Sequence, residues 1–350
     1  MMEYAMLHLG LVVFGAVAID VALGDPRNRY HPTAWAGGLM ARMISFSAGR
    51  GFWAQRFGGV AAVAAPACAA VALLLPLHYA AGHALAALGW GGAEVAAGTA
   101  TDPAQYVYAA VLVAACCVLL KCTIAVRGMQ EHAYAVVESL EGEGGVAGAR
   151  SSLSMIVKRK TGSLDEEHVI SGVLESIGEN TVDGATGSLF YYGLFGLPGA
   201  FAHRIVNTAD SMAGYRGEML GRLGWFAAHA DTILNYVPAR LTGIAMVVAS
   251  AALGYDWRGA LRSMVRDGGS TASRNSGYPM AALAGALNVR LEKEGHYVLC
   301  SGGRAPSTRD VRRAVSLMKA TVLVFAAGMV VPAGVASGAV AGMILGAGGA

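Results

Sequence analysis

From Ala320 to Ala350 the chain carries no charged side chain. Residues 4–23, 58–80 and 104–126 are nearly as apolar, with Asp20 and Lys121 their only aspartate, glutamate, lysine or arginine. Runs of this length cross a bilayer core as helices, because lipid offers the backbone N–H and C=O groups no hydrogen-bond partner. Only 14% of the residues are charged, where soluble domains have about a quarter, and mean hydropathy is +0.48. The expected class is therefore an all-α, polytopic integral membrane protein, a single membrane-embedded domain over residues 1–350 with about four spans. The region 127–319 is expected to supply cytoplasmic and cavity-lining helices. A net charge of +3 without a basic, aromatic-interleaved run leaves no footprint for nucleic acid. The start, MMEY, lacks a basic n-region and cleavage site, so the first run is expected to remain a spanning helix. Five cysteines show no C-x-x-C spacing and are expected to be free.

Between residues 24 and 56 stand Arg27, Arg29, Arg42, Arg50 and Arg56 against one acid, Asp25. By the positive-inside rule this loop is cytoplasmic and the N-terminus external. Residues 91–103, with no lysine or arginine, read as external. Lys121 is expected to snorkel to the inner interface. Segments 185–203 and 241–254 are apolar but short, and the charged regions flanking the pair are both rich in lysine and arginine. Either both cross or neither does. If both crossed, Glu179 and Asp183 would lie across the membrane from Asn207 and Asp210. The two segments are thus expected to be re-entrant or buried helices lining a cavity open to the cytoplasm. Gly334, Gly338, Gly342 and Gly346 recur at i+4, a small-residue ridge suited to close helix packing, within the chain or in a homo-oligomer.

The chemistry-bearing residues recur at helical spacing. A helix over 164–181 would bury Val169, Ile170, Val173, Leu174 and Ile177, leaving Glu175 and Glu179 one turn apart with Asp183 beyond. Asn207 and Asp210 are i, i+3, and Asp231 and Asn235 i, i+4, with Arg204, Arg216 and Arg240 interleaved. Such pairs also serve as helix caps. Together they suggest hard oxygen ligands around Mg²⁺ and a phosphate, with Glu175, Glu179, Asp183, Asp210 and Asp231 as candidate ligands. The Arg266-Asp267-Gly268-Gly269 stretch, with Asn275, is a glycine-rich turn that can cradle phosphate. No P-loop or Rossmann glycine motif is present. Tyr215 and Tyr236 could line a pocket or anchor at the interface.

Five motifs in order carry a resemblance: G-D-P-x-x-x-x-H-P (Gly24 to Pro32), E-S-x-x-E-N-T-x-D-G (Glu175 to Gly184), N-T-x-D-S-M-x-G-Y-R (Asn207 to Arg216), N-Y-x-P-A-R-L (Asn235 to Leu241) and R-D-G-G…N-x-G-x-P…A-G-A-L (Arg266 to Leu287). The chain resembles the CbiB/CobD family of cobalamin biosynthesis over nearly its whole length. The resemblance implies an integral membrane adenosylcobinamide-phosphate synthase of the cell membrane, its site facing the cytoplasm. Such an enzyme joins aminopropanol, as its O-phosphate, to the propionate carboxylate of adenosylcobyric acid. ATP and Mg²⁺, and an acyl-phosphate intermediate, are implied. Glu179, Asp183 and Asp210 would be catalytic. Asp25, His31, Asn180, Arg204, Asn207, Tyr215, Arg216, Asn235, Arg240, Arg266, Asp267 and Asn275 would bind substrates. The chain departs from the family pattern at Arg159-Lys160-Thr161, Ser188 and Asp231-Thr232. The alternatives are a membrane phosphotransferase or prenyltransferase binding Mg-pyrophosphate, and a corrinoid transporter or scaffold.

Overall fold

The structure, a computed structural model, describes residues 2–88, 102–213 and 218–346. Side chains are described for residues 7–88, 102–212, 221–329 within that range. The described chain is mainly helical, with one two-stranded antiparallel ribbon, which bears out the expected helical class. Its contacts divide it into two compact units, 1–124 with 188–231 and 326–350, and 125–187 with 232–325. The second unit takes in most of the polar stretch at 127–319 but not residues 188–231.

In the first unit α1 (Met2–Leu23) packs on α4 (Pro103–Lys121) and α3 (Phe52–Ala87). Val12, Val13, Ala16, Cys116 and Leu120 form the buried seam. Between α1 and α3, α2 (Pro32–Ser47) lies along the start of α3. The greater part of α8 (Gly187–Ala213), α9 (Glu218–Leu223) and the greater part of α10 (Trp225–Leu234) complete this unit.

α8 (Gly187–Ala213) is not one rod. Gly196, at φ 66° and ψ −156°, breaks it, with Pro198 just beyond. Ser188 Oγ lies 3.2 Å from His203 Nδ1, and the Tyr191 and His203 rings stack with centroids 5.3 Å apart. In a straight helix residues so separated would be about 18–22 Å apart, so the chain folds back into a helical hairpin tipped by Gly196. The expectation that 185–203 does not run straight through therefore holds. Each arm is too short to cross a bilayer core of about 30 Å.

The second unit is built on α13 (Gly277–Leu287), buried almost throughout. α7 (Glu166–Thr181), α11 (Tyr236–Ala252) and α12 (Trp257–Asp267) pack around it. Gly259 and Gly285 bring α12 and α13 into backbone contact, since a Cβ on Gly285 would overlap the Gly259 carbonyl. α5 (Val126–Glu141) and α6 (Gly145–Ser154) flank α7, and β1 (Leu291–Lys293) pairs with β2 (Tyr297–Leu299) beside it. α14 (Thr308–Gly346) starts here and ends in the first unit.

Among the described residues two stretches, Phe52–Ala87 and Pro103–Glu141, are long and apolar enough to cross a membrane. They become three if α10 and α11, bent by 43° at their junction, form one broken span. Among the described residues the expected count of about four is not confirmed. The described part of α1, Leu7–Leu23, is shorter, and the side chains of the end of α14, with the glycine ridge from Gly334 to Gly346, lie outside those described. The loop expected to be external, 91–103, falls mostly outside the described residues.

Candidate functional site

At the exit of α1, Gly24 (φ 70°) turns the chain so that Asp25 faces back toward α4. Lys121, 2% exposed, sits between Asp20 Oδ1 at 3.4 Å and Asp25 Oδ1, with which it forms a direct ion pair. This corrects the expectation that Lys121 snorkels. An ammonium kept from water needs carboxylates, and two converge on it here. His31 Nε2 lies 3.6 Å from Asp25, and its Nδ1 lies 2.7 Å from Thr33 Oγ1. Burial alone would raise the Asp25 pKa, but hydrogen bonds from His31 and Lys121 outweigh it and hold the pKa at about 2. The G-D-P-x-x-x-x-H-P motif thus closes an ion network that joins α1, α2 and α4.

On the second arm of the α8 hairpin, Asn207 is buried and donates to Asp231 Oδ1 at 3.2 Å. Arg204 and Asp210 are half-buried on the same arm. His203 closes the hairpin through Ser188 and Tyr191. Tyr215 and Arg216 lie outside the described residues.

In the second unit the five apolar positions expected on the inner face of α7 are all buried. Glu175 and Glu179, however, do not share an environment: Glu175 is buried and Glu179 exposed. Glu175 accepts from Arg159 at 3.2 Å, Ser171 at 2.9 Å and Tyr297 at 2.8 Å, so protein donors engage both its oxygens. Burial, reinforced by the Glu175 charge, pushes the Tyr297 phenol far above its ordinary pKa.

α7 runs into a π-helical turn, Val182–Thr186, which carries Asp183. Single π turns inside helices occur frequently at functional sites. The turn is tied to its neighbours: Ala125 N–H donates to the Gly184 carbonyl at 2.7 Å, and the Thr186 hydroxyl Oγ1 lies 2.6 Å from Thr242 Oγ1. Asn235, buried at the α10/α11 junction, donates to Asp183 Oδ1 at 3.1 Å. One turn earlier the Thr232 carbonyl accepts from Asn275 at 2.8 Å, and Asn275 Oδ1 lies 3.4 Å from Arg240. The Arg240 guanidinium lies over the rings of Tyr236 and Tyr278, 3.5 Å and 4.2 Å from their centroids. A polar track therefore runs from Asp183 to Asn235, and from the Thr232 carbonyl one turn away through Asn275 to an aromatic-clasped arginine. Asn180, half-buried beside it, donates to the Ser176 carbonyl at 2.9 Å.

Arg266 and Asp267 pair with each other at 2.7 Å, and Asp267 also accepts the Cys300 N–H at 2.8 Å. Hydrogen bonds from Arg266 hold the Asp267 carboxyl below its ordinary pKa. The glycine-rich turn is in this way tied to the end of β2. Among the described residues no three or more His, Cys, Asp or Glu side chains are grouped to hold a metal ion. Lys121, Arg159 and Tyr297 were not singled out by sequence as members of these networks. The usable signal was the charge of Lys121 and Asp20 within apolar runs, where an ionised group needs a partner.

The fold is that of an α-helical protein with two or three helices long and apolar enough to cross a membrane, together with buried acid, amide and arginine pairs. A family model described as CobD/Cbib protein matches residues 13–318. A probable cobalamin biosynthesis protein CobD from Methanothermobacter thermautotrophicus is 36% identical over 317 residues, 90% of this chain and 94% of the relative. The cobalamin biosynthesis protein CobD of Dehalococcoides mccartyi is 35% identical over 295 residues, 84% of this chain and 87% of that protein. That of Geobacter metallireducens is 37% identical over 286 residues, 82% of each. The chain belongs to the CobD/CbiB family of cobalamin biosynthesis proteins. No solved structure matches it.

Proposed function

We propose that this protein is an adenosylcobinamide-phosphate synthase. It condenses the amino group of (R)-1-aminopropan-2-ol, or of its O-phosphate, with the propionate carboxylate of adenosylcobyric acid. The reaction is a carbon–nitrogen ligation: the amine nitrogen bonds to the acyl carbon, one carboxylate oxygen leaves with phosphate, and ATP becomes ADP. Family membership supports the pathway. The observation that carries the local chemistry is the track from Asp183 on the π turn to Asn235, and from the Thr232 carbonyl one turn away through Asn275 to Arg240.

Asp183, oriented by Asn235, is a carboxylate suited to holding the substrate ammonium and taking its proton as the nitrogen becomes nucleophilic. Arg240, fixed between Tyr236 and Tyr278, suits a carboxylate or phosphate. Asn275 holds that guanidinium in place. Mg²⁺ commonly uses one or two carboxylates together with substrate phosphates, a donor set that Asp183 and exposed Glu179 fit and a protein-only cage does not. When bound, Mg²⁺ and ATP would supply charge neutralisation and carboxylate activation. Glu175, with both oxygens engaged, holds Arg159 and Tyr297 in position behind this face.

The protein is multi-pass and its site faces the cytoplasm. Support comes from the arginine excess of residues 24–56 and from the α8 hairpin, which returns the chain toward the side it entered from. The test is product mass from purified protein given adenosylcobyric acid, the amino alcohol phosphate and Mg²⁺, with and without ATP. ATP-dependent appearance of the amide is expected, with at least about a hundred-fold loss in Asp183→Asn. Corrinoid moved across proteoliposomes chemically unchanged, or amide formed at full rate by Asp183→Asn, contradicts the reading.

A further inference from the structure

Outside these groups, the first unit contains a cavity of about 610 Å³ between α2 and the first turns of α3. Arg42, Phe46, Ser47 and Arg50 line one side, and Phe57 and Gly58 the other. Gly58 permits this close approach, since an added Cβ would overlap the Ser47 side chain. Arg42 and Arg50 have no acidic partner among the described residues. The one acid between residues 24 and 56, Asp25, is committed to Lys121 and His31. Arg50 lies over the Phe46 ring, 3.7 Å from its centroid, which holds the guanidinium plane and leaves its N–H edge available.

The rim decides what kind of anion belongs here. Phe46, Trp53 and Phe57 are 67%, 68% and 69% exposed, and Trp35 also stands on the surface of α2. Such a concentration of exposed aromatics is unfavourable against bulk water and favourable at a headgroup boundary. α3 is itself one of the membrane-length helices, so its first turns lie near one end of a span. A cavity combining two unpaired arginines with an aromatic, partly apolar wall matches an amphipathic anion better than a fully hydrated one.

We infer that the α2/α3 cavity is a binding site for an anionic phospholipid, its phosphate held by Arg42 and Arg50 and its glycerol and upper chain lying against Phe46 and Phe57. Full-length protein in a neutral detergent would be titrated separately with phosphatidylglycerol, phosphatidylcholine and inorganic phosphate. Native mass spectrometry would report bound lipid, and thermal melting the stabilisation. Phosphatidylglycerol should bind and raise the melting temperature, and phosphatidylcholine should do neither. Each surface arginine near an anionic headgroup contributes about five-fold in affinity, so Arg42→Ala/Arg50→Ala should bind phosphatidylglycerol about 30-fold more weakly. Arg42→Lys/Arg50→Lys, which keeps the charge, should lose much less. Both arginines are exposed, so the variants should melt like the parent in lipid-free detergent. Should the double variant misfold, Arg42→Gln alone carries the test with an expected five-fold loss. Equal binding of phosphatidylcholine, equal stabilisation by inorganic phosphate, or undiminished phosphatidylglycerol binding by a folded variant each overturns the inference. None of these measurements depends on the reaction catalysed.

Discussion

Replacing Gly196 by alanine tests the hairpin directly. Gly196 has φ 66° and ψ −156°, a region that side-chain-bearing residues occupy at a cost of about 1–3 kcal/mol. The new Cβ would also overlap the His78 ring. Forcing an extra carbon into a packed site costs a further 1–3 kcal/mol or so. Some of that second cost can relax, because His78 borders a cavity of about 580 Å³ into which the ring can swing. Its contacts with His8 and Tyr192, at 5.1 Å and 5.8 Å between centroids, limit the movement. The backbone cost has no such outlet and dominates. Gly196→Ala should therefore destabilise the protein by about 2–4 kcal/mol. Adding His78→Ala should remove the collision and leave roughly 1–3 kcal/mol of the Gly196→Ala effect. Reversible unfolding in mixed detergent would read both values. Gly38→Ala serves as control, since its Cβ meets nothing within 4 Å and alanine favours a helix by up to about 1 kcal/mol. If Gly196→Ala unfolds within about 0.5 kcal/mol of the parent, the tip does not hold this conformation and the folded-back reading of α8 is wrong.

Lys121→Met would leave Asp20 and Asp25 without their ammonium and should cost about 3–5 kcal/mol, largely restored by Asp20→Asn/Asp25→Asn in the same background. Asp25 has a folded pKa of about 2 against an ordinary 3.8, so it favours the folded state at pH values above the ordinary pKa. That contribution is lost as pH falls toward the folded value. The melting-temperature gap between parent and Asp25→Asn should thus stay constant from roughly pH 6 to 8 and close below about pH 4; a gap that widens in acid refutes the network. Glu175→Ala would strip Arg159 and Tyr297 of their acceptor and should cost about 3 kcal/mol, whereas Tyr297→Phe should cost about 1–2 kcal/mol, both measurable by chemical unfolding. Asn235→Ala should reduce amide formation by at least about ten-fold, because Asp183 loses the donor that orients it; unchanged turnover would remove the π turn from the proposed site.

Much of the architecture could be read from residue order, because the rules involved are local. Apolar positions repeating at helical spacing placed the inner face of α7, and Val169, Ile170, Val173, Leu174 and Ile177 are buried there. Glycine and proline within a short apolar run marked α8 as broken, and the break falls at Gly196 beside Pro198. Asp20 and Lys121 stood out as the charged side chains of otherwise apolar runs, but the expected snorkelling of Lys121 gave way to an ion pair. Pairing lies beyond such rules. Asp25 and Lys121 are separated by 96 residues, and Glu175 and Tyr297 by 122, so no periodicity links them. Glu175 and Glu179 look equivalent at i, i+4, yet one is buried against Arg159, Ser171 and Tyr297 while the other is exposed. Spacing along a helix sets the direction in which a carboxylate points. What stands there to meet it is brought by distant parts of the chain, and only packing decides whether that is a guanidinium, a phenol or water.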